Sequence, residues 1–408
     1  MNLAQIVKKR DWLLVDLPDV VFFQEGPGVR NNQYTTSGVK LLNVANLQDG
    51  RIVLDNTDRY ISEDEAYGRY QHFLVDEGDL IIASSGIKVE YFDKKMGFVE
   101  KHHLPLCLNT STIRFKSLDN SVLDIRYFMY FLKSNYFKKQ LSRLITGSAQ
   151  LNFGPSHLKK IKVILPDIYT QKRIVSILDK AQELIDKRKA QIEALDQLTQ
   201  SVFLEMFGDP VKNNKNWVMQ KLSETGELKR GISKHRPRNA PELLNGPYPL
   251  IQTGDIANSG IFIKKYNQTY SELGLKQSKM WPKGTLCITI AANIAQTGIL
   301  TFDACFPDSV VAYIPKNYMS NIYVHFWFTF LQRIIEANAP ESAQKNINLK
   351  ILSELEIPVP PVELQNKFAE IVQKIESQKD LLQKSLEELE NNFNSLMQRA
   401  FKGELFND

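Results

Sequence analysis

The feature that most constrains this chain is an internal repeat at a fixed spacing. Ser148-Ala149-Gln150 recurs as Ser342-Ala343-Gln344, and the same offset of 194 residues holds without a gap as far as Phe207 and Phe401. Upstream of this stretch the likeness persists only at shifted offsets, as in Trp12/Trp217 and Cys107/Cys305. Because a repeat decides the architecture of the chain that carries it, we predict two copies of one unit. Each copy has a variable part followed by a part of fixed length. Further identities at the offset of 194 are Leu158/Leu352, Pro166/Pro360, Gln171/Gln365, Ile177/Ile371, Asp186/Asp380, Leu195/Leu389 and Ser201/Ser395.

The two fixed parts have the apolar pattern of long helices. Their apolar residues step by three and four, which is a heptad pattern. A helix from about 170 to 206 would be roughly 55 Å long, so it needs a partner helix. We expect the two helices to pair as an antiparallel coiled coil with pseudo-two-fold symmetry; the alternative is that each packs on its own domain. The seam residues are Ile174, Leu178, Ile185, Ile192 and Leu195 in the first helix and Phe368, Val372, Leu382, Leu386 and Leu389 in the second.

The variable parts have mixed secondary structure. Short apolar runs at 79–84 and 285–290 are bounded by glycine and polar turn residues, which predicts strands, and residues 124–144 predict a helix. The fold class is therefore α+β, with two tandem α/β domains joined by the two long helices. We place the first domain at 1–165, the first helical spacer at 166–208, the second domain at 209–357 and the second helical spacer at 358–408.

Composition places the chain among ordinary globular proteins. Its 408 residues include 51 Lys plus Arg and 46 Asp plus Glu, with 43% hydrophobic residues, which excludes a disordered chain and a single small module. The three cysteines form no CxxC pair, which indicates a reducing compartment. The N-terminus lacks the apolar core of a signal peptide, and the most apolar stretch, 322–331, is too short to span a membrane. We expect a soluble cytoplasmic protein.

Positive charge is concentrated in the variable parts. Residues 133–162 contain seven Lys or Arg and no acidic residue, and residues 229–238 contain five. The counterpart of this second segment, residues 26–38, has only Arg30 but adds Asn31, Asn32 and Gln33. Asparagine, glutamine and arginine pair with base edges, whereas lysine mainly contacts phosphates. These patterns favour two DNA-reading loops for different sequences; the alternative is solvated surface loops.

The candidate DNA-binding residues follow from these patterns. Ser84, Ser85 and Lys88 come after a predicted strand, and Asn293 lies at the equivalent place in the second repeat. The sequence has no glycine-rich phosphate loop, nucleophile elbow or zinc-ligand spacing, so we predict neither a catalytic site nor a metal site. The full candidate set is Arg30, Asn31, Asn32, Gln33, Ser84, Ser85, Lys88, Lys94 and Lys95 in the first half, and Lys229, Arg230, Lys234, His235, Arg236, Arg238 and Asn293 in the second.

One motif carries a family resemblance. Pro166, Gln171 and Ile174 form a P-x4-Q-x2-[Ile/Phe] signature that recurs as Pro360, Gln365 and Phe368. With the order of domains and helices over nearly the whole chain, it resembles the conserved regions of specificity subunits of type I restriction-modification systems. The first copy departs from that pattern because Asp167 stands where a second proline is usual.

The resemblance implies a non-catalytic subunit that binds no cofactor. Each variable part would be a target-recognition domain that reads one half of a bipartite double-stranded DNA target, and the paired helices would fix the length of the unread spacer. Two methyltransferase (M) subunits would dock on the chain, and restriction (R) subunits would join through them. The alternative class is a helical protein-interaction scaffold without DNA readout.

Overall fold

The chain folds into two compact α+β units. The structure, a computed structural model, describes residues 11–86, 89–145, 152–235, 237–291, 295–330 and 348–406. Unit 1 consists of Met1–Lys187 with Leu386–Asp408, and unit 2 of Arg188–Ser385. The predicted fold class is confirmed, since each unit combines several small sheets with helices. None of the described helices is long and apolar enough to cross a membrane.

The first repeat contains eleven strands and six helices among its described residues. The strands are β1 (Leu13–Asp16), β2 (Val21–Glu25), β3 (Val39–Leu42), β4 (Leu47–Gln48), β5 (Arg51–Ile52), β6 (Tyr60–Ile61), β7 (Leu80–Ala83), β8 (Met96–Phe98), β9 (Leu106–Leu108), β10 (Thr112–Ser117) and β11 (Lys162–Leu165). The helices are α1 (Leu17–Val20), α2 (Glu63–Tyr67), α3 (Ile125–Lys133), α4 (Asn135–Leu144), α5 (Pro155–Leu158) and α6 (Ile168–Phe207).

The second repeat has the same numbers of elements within its described part. The strands are β12 (Val218–Lys221), β13 (Gly226–Arg230), β14 (Leu244–Leu250), β15 (Phe262–Ile263), β16 (Gln268–Tyr270), β17 (Met280–Trp281), β18 (Leu286–Thr289), β19 (Thr297–Leu300), β20 (Ala304–Cys305), β21 (Val310–Pro315) and β22 (Glu356–Val359). The helices are α7 (Leu222–Thr225), α8 (Thr253–Ala257), α9 (Glu272–Lys276), α10 (Asn321–Thr329), α11 (Leu349–Glu354) and α12 (Val362–Phe401).

The two larger sheets of unit 1 correspond strand by strand to those of unit 2, in which each sheet has one additional strand. Unit 1 also contains the two-stranded sheet β4-β5. Unit 1 has the strand orders β2-β10-β7-β8, β6-β3-β9 and β1-β11; unit 2 has β13-β21-β18-β19-β15, β16-β14-β20-β17 and β12-β22. The pairing of β3 with β9 is parallel, and so is its counterpart between β14 and β20. The repeat that the fixed parts show in sequence therefore extends, in structure, through the variable parts as well.

The long helices have equal lengths and matching ends. α6 and α12 each contain 40 residues, which at 1.5 Å per residue is about 60 Å. Both end at a glycine with positive φ, Gly208 at 79° and Gly403 at 67°. Gly208 directly follows the last residue of α6, and Gly403 lies two residues after the last residue of α12. A left-handed glycine just past a helix end is a common stop, because glycine has no Cβ to clash there. Both long helices therefore end at the same kind of local signal.

Both units contain parts of the two long helices, and contacts in unit 2 run antiparallel, from Phe203 with Phe368 to Asp196 with Lys379. In unit 1, Ile174 and Leu178 of α6 share a core with Met397 and Phe401 of α12. In unit 2, the last turns of α6 share a core with the first turns of α12. This antiparallel pairing agrees with the prediction, whereas coiled-coil packing in detail and the pseudo-two-fold axis stay predictions. Of the predicted seam residues, Ile174, Leu178, Ile185, Phe368, Val372 and Leu386 are buried, and Ile192, Leu195, Leu382 and Leu389 are half-buried.

One polar residue, Lys379, interrupts the apolar seam of α12. Its side chain has hydrogen-bond partners on both long helices. Its Nζ donates to Asp196 Oδ1 of α6 at 2.5 Å and to Glu376 Oε1 at 2.8 Å. Burial works against the charge, but these two carboxylates keep the pKa of Lys379 above its usual value. The interruption is therefore an ion pair between the helices of unit 2.

The signature glutamine has the same role in both repeats. Gln171 is fully buried; its Nε2 donates to the carbonyls of Pro166 at 2.8 Å and Val122 at 2.9 Å, and its Oε1 accepts from the N–H of Asp124 at 2.9 Å. Gln365 is equally buried and makes the equivalent bonds: it donates to Pro360 and Tyr318 and accepts from Ser320. One side chain thus ties the start of each long helix to its own globular part.

The predicted helix over 124–144 is wrong in one respect, because it is broken at Ser134. α3 ends before this residue and α4 begins after it. Ser134 has an extended backbone, and its Oγ accepts from the N–H of Phe137 at 3.4 Å, so it is the N-cap of α4. Serine favours this position because its hydroxyl satisfies a free backbone donor.

The three cysteines belong to the core. Cys107, Cys287 and Cys305 are all free and buried. Burial raises the pKa of Cys107 to about 12 and that of Cys305 to about 11. A thiol that stays protonated is a poor nucleophile, so these positions serve packing.

We predict that unit 2 loses stability as the pH falls, because it buries a neutral histidine. His325 is 7% exposed, its Nδ1 lies 2.8 Å from Thr297 Oγ1, and burial lowers its pKa to about 4. The unfolded chain, with a histidine pKa near 6.5, binds a proton more readily below that pH, so the stability is present above pH 6.5 and is lost toward pH 4. Urea unfolding should show a loss of about 2 kcal/mol between pH 7 and pH 5 that His325→Gln removes. An equal loss in the variant would contradict this assignment.

Candidate nucleic-acid interface

The first candidate loop, residues 26–38 of unit 1, is held by its own side chains. It begins at Gly26, where a Cβ would lie 2.1 Å from the carbonyl oxygen of Asn109, so no other residue fits. Asn31–Gln33 form a 3₁₀ turn. Gln33 Oε1 accepts from the N–H of Arg30 at 3.1 Å, and its Nε2 donates to Glu65 Oε1 at 3.1 Å and to Tyr70 at 3.0 Å. Gln33 therefore fixes the turn.

The tip of this loop presents the predicted base-reading side chains. Arg30, Asn31 and Asn32 are all exposed. The hydrogen bonds of Gln33 fix the backbone of this turn, so the turn that carries their amide and guanidinium groups has a defined conformation. This is the arrangement that specific recognition needs, because a site held by supporting hydrogen bonds loses less entropy on binding.

A second segment of unit 1 lies beside the loop, and the sequence reasoning missed it. Thr35 forms a bridge with Tyr60, and the Arg59 guanidinium lies 5.6 Å from the centre of the Tyr34 ring. Arg69 lies 5.4 Å from the Tyr70 ring. Two Arg-Tyr dipeptides, residues 59–60 and 69–70, were the signal that could have pointed to it, since arginine and tyrosine are both side chains on which nucleic-acid bases stack.

The second candidate loop, in unit 2, has the equivalent place. It begins at Gly231, where a Cβ would lie 2.3 Å from the carbonyl oxygen of Pro307. Its backbone is held by Gln277, whose Oε1 accepts from the N–H of Lys234 at 2.8 Å and of His235 at 3.1 Å. Gln277 comes directly after α9. In unit 1, Tyr70, which bonds Gln33, comes shortly after α2. Each loop is therefore supported by the segment that follows the corresponding short helix.

The charges of the second loop are less free than the sequence indicates. Lys229 and Arg230 belong to strand β13 rather than to the loop. Lys229 pairs with Glu227 at 2.5 Å, Arg230 Nε donates to the carbonyl oxygen of Asp308 at 2.5 Å, and Arg238 pairs with the Asp308 carboxylate. Ion pairs of exposed groups are weak, so these residues remain able to contact an anion at modest cost.

Lys234 is an exposed cation of this loop. Its side chain has no carboxylate within ion-pair distance in the described part of the chain. His235 is half-buried, and its Nδ1 lies 3.2 Å from the carbonyl oxygen of Pro237. Lys276 and Lys279 flank Gln277, and Lys279 Nζ lies 4.1 Å from the centre of the Trp281 ring. These two lysines were not among the predicted residues.

The remaining predicted residues are scattered. Ser84 is fully buried and its Oγ donates to Glu25 Oε1 at 3.4 Å, where burial raises the pKa of that carboxyl. It therefore lies away from any surface that DNA could reach, and Ser85 is half-buried. Lys94 is exposed and pairs with Asp49 at 3.5 Å, while Lys95 donates to the carbonyl of Leu47 at 2.8 Å. Lys88, Arg236 and Asn293 lie outside the described residues.

Among the described residues, no cluster of three or more His, Cys, Asp or Glu side chains could hold a metal ion. Within each unit taken by itself, the polar residues that the structure brings together are those of its loop and of the segment that supports the loop. The fold defines a class of protein: an internally duplicated α+β chain in which each repeat carries a polar surface loop and one long helix.

The chain belongs to the family described as the type I restriction modification DNA specificity domain. The family model matches twice, at residues 9–195 and 214–391, which is the repeat seen in the sequence. The chain is thus a specificity subunit of the non-catalytic kind, and the resemblance found in the signature glutamines is confirmed.

Curated relatives and a solved structure agree with this family. The type I restriction enzyme MjaVIII specificity subunit of Methanocaldococcus jannaschii is 30% identical over 190 residues, covering 45% of this chain and 43% of that protein. The EcoBI specificity subunit of Escherichia coli is 23% identical over 97% of this chain and 86% of its own. The solved S subunit of a type I system from M. genitalium has the same fold, with a TM-score of 0.52 at 16% identity over 96% of each chain.

Proposed function

We propose that this chain recognises a bipartite double-stranded DNA target, with one half-site read by each unit. The observation that carries the proposal is that two loops at the same place in the repeat present different side chains. The first presents Arg30, Asn31 and Asn32, and the second presents Lys234 and Arg238. Two equivalent loops with unlike chemistry suit the reading of two unlike sequences.

The chemistry of each loop agrees with such a division. Asparagine forms paired hydrogen bonds with adenine, and arginine forms them with guanine, in the major groove. Lysine contributes affinity by contacting phosphates. We infer that the first loop gains most of its discrimination from the amides of Asn31 and Asn32, and that Lys234 mainly places the second loop on the DNA backbone. The other predicted residues that are exposed, Lys94, Lys229 and Arg230, would add backbone contacts.

The long helices supply the spacing between the half-sites in this proposal. Both contain 40 residues, so they would act as a ruler of constant length. Half-sites about one helical turn apart present their major grooves on one face of the duplex. We keep the division into recognition domains at 1–165 and 209–357 and helical spacers at 166–208 and 358–408 as part of this proposal.

The partners we propose are two methyltransferase subunits, with restriction subunits joining through them. The repeat offers the same apolar surface twice: Leu13 of β1 is 61% exposed, and its counterpart Val218 of β12 is 67% exposed. Two equivalent exposed positions suit two copies of one partner. Cytoplasmic location follows from a genomic DNA target.

The proposal predicts a bipartite methylation motif whose halves can be altered separately. When the chain is produced with its methyltransferase partner, sequencing of methylated genomic positions should show two fixed half-motifs around an unread spacer. The double variant Asn31→Ala with Asn32→Ala should relax one half-motif and leave the other intact, because lost base contacts cost about 1–3 kcal/mol of discrimination per base pair. The matched control is Asn391→Ala with Asn392→Ala, an exposed asparagine pair on α12, which should change neither half.

A different result would support the alternative, a protein-interaction scaffold without DNA readout. If methylation were unaffected by the chain, or if the motif were identical in the Asn31/Asn32 variant, the DNA-reading role of the first loop would be lost. A change in both halves at once would contradict the assignment of one half-site to each unit.

A further inference from the structure

Unit 1 contains a cavity that the DNA-reading loops do not use. It has a volume of about 520 Å³ and lies where α3 ends and α4 begins, next to the last turns of α12. Four lysines line it, and we call it the lysine cavity: Lys133, Lys138, Lys139 and Lys402. Pockets that hold small ligands have volumes of about 300–1,000 Å³, so the space is sufficient for one.

The helix break at Ser134 brings these lysines together. Lys133 is the last residue of α3, and Lys138 and Lys139 follow within the first turns of α4. Ser134 stabilises the break because its Oγ donates to the carbonyl of Phe131 at 2.6 Å and caps α4. Lys402 comes from the other end of the chain, directly after α12. A continuous helix over 124–144 would have spread the first three lysines around its surface.

The cavity has an excess of positive charge. Among the described residues that line it, Asp93 is the one carboxylate, and Lys138 already pairs with it at 2.7 Å. In the described part of the chain, Lys133, Lys139 and Lys402 have no carboxylate within ion-pair distance. Lys133 Nζ instead lies 5.7 Å from the centre of the Tyr130 ring.

The half-buried Lys133 shows the physical cost of this arrangement. Burial lowers its pKa, and the charge of Lys138 adds to this effect; the carboxylates of Asp93, Asp186 and Asp179 oppose it only in part. A desolvated ammonium with no carboxylate at ion-pair distance is unfavourable. An anion in the cavity would supply a counter-charge, and with three free lysines it should carry more than one negative oxygen.

We propose that the lysine cavity binds a phosphate group. Lysine ammonium groups are compact charges with rotatable donors, which suits phosphate oxygens, and the side chains of Asn135 and Gln398 add polar groups at the same wall. The phosphate has two possible sources. It is either part of the DNA backbone, in which case the inference rests on the proposed function, or part of a free phosphorylated ligand such as a nucleotide.

Binding measurements on the full chain test this proposal. The probes are inorganic pyrophosphate, ATP and a duplex of random sequence, and the variant is Lys139→Ala with Lys402→Ala. The control is Lys159→Ala with Lys160→Ala, which removes the same charge from exposed lysines of unit 1. If the phosphate is free, the variant should bind pyrophosphate or ATP at least about ten-fold more weakly than the control. If it belongs to DNA, the salt dependence of duplex binding should fall by about two counterions.

Equal behaviour of the variant and the control toward all three probes would overturn the proposal. The outcome is separable from that of the proposed function, because the cavity variant retains Asn31 and Asn32 and should keep both half-motifs in methylation sequencing. A chain that bound pyrophosphate but read no motif would uphold the cavity and refute the DNA-reading loops. If the double variant Lys139→Arg with Lys402→Arg binds the probe as the unchanged chain does, the weaker binding of the alanine variant is caused by the lost positive charge.

Discussion

Phe203→Ala is expected to lower the free energy of unfolding of unit 2 by about 4 kcal/mol, since large-to-small changes of buried aromatic residues cost about 3–5 kcal/mol. Phe203 is fully buried on α6. Its ring centre lies 5.7 Å from that of Tyr323 and 5.6 Å from that of Phe368. It thus connects α6 to α10 and to α12, and its removal leaves a cavity where three helices meet.

Urea unfolding followed by tryptophan fluorescence measures this effect. Three of the four tryptophans, Trp217, Trp281 and Trp327, belong to unit 2, so the signal mainly reports this unit. The control is Leu204→Ala, the neighbouring position on the same helix, where the leucine is 38% exposed and little burial is lost. A loss below about 1 kcal/mol for Phe203→Ala would mean that the aromatic cluster does not hold the helices together.

Gln171→Leu is expected to lower the stability of unit 1 by about 3 kcal/mol, although leucine has nearly the same size. The change leaves the carbonyls of Pro166 and Val122 and the N–H of Asp124 without their partner. A buried polar group without a hydrogen bond costs about 1–3 kcal/mol. This cost exceeds the stabilisation that the apolar leucine side chain adds. Hydrogen exchange of the unit 1 amides measures the change in opening free energy.

The repeat provides an internal test of this second prediction. Gln365→Leu should have an effect of similar size on unit 2, because its three hydrogen bonds correspond one to one. Gln373→Leu, at an exposed position of α12, is the control and should change stability by less than about 0.5 kcal/mol. A large effect in one unit and none in the other would show that the two glutamines are not equivalent.

The long helices were the most predictable part of the fold. Their heptad pattern and their glycine stops are local signals, so the bounds from about 170 to 206 differ from the observed Ile168–Phe207 by one or two residues. The break at Ser134 was missed, although serine at a helix start is also a local signal. The apolar pattern continues across 124–144 and hides it.

The candidate recognition surface was only partly predictable. Arg30, Asn31 and Asn32 were found because the repeat aligned two loops of different chemistry. Gln33 supports the turn instead of adding to its tip, and the burial of Ser84 depends on a strand pairing that no local pattern reports. The partners of Arg230 and Arg238 come from Asp308, some seventy residues away. Long-range contacts of this kind decide which charges are free.

The sequence by itself determined the duplication, the two helices of equal length and the family, because all three are recorded in spacing along the chain. Only the tertiary structure decided that each unit is completed by the far end of the other repeat's helix, that Gln171 and Gln365 tie the helices to their globular parts, and that four lysines meet in one cavity. The physical reason is that spacing is a property of neighbours in sequence, whereas burial and charge balance depend on residues brought together from far apart.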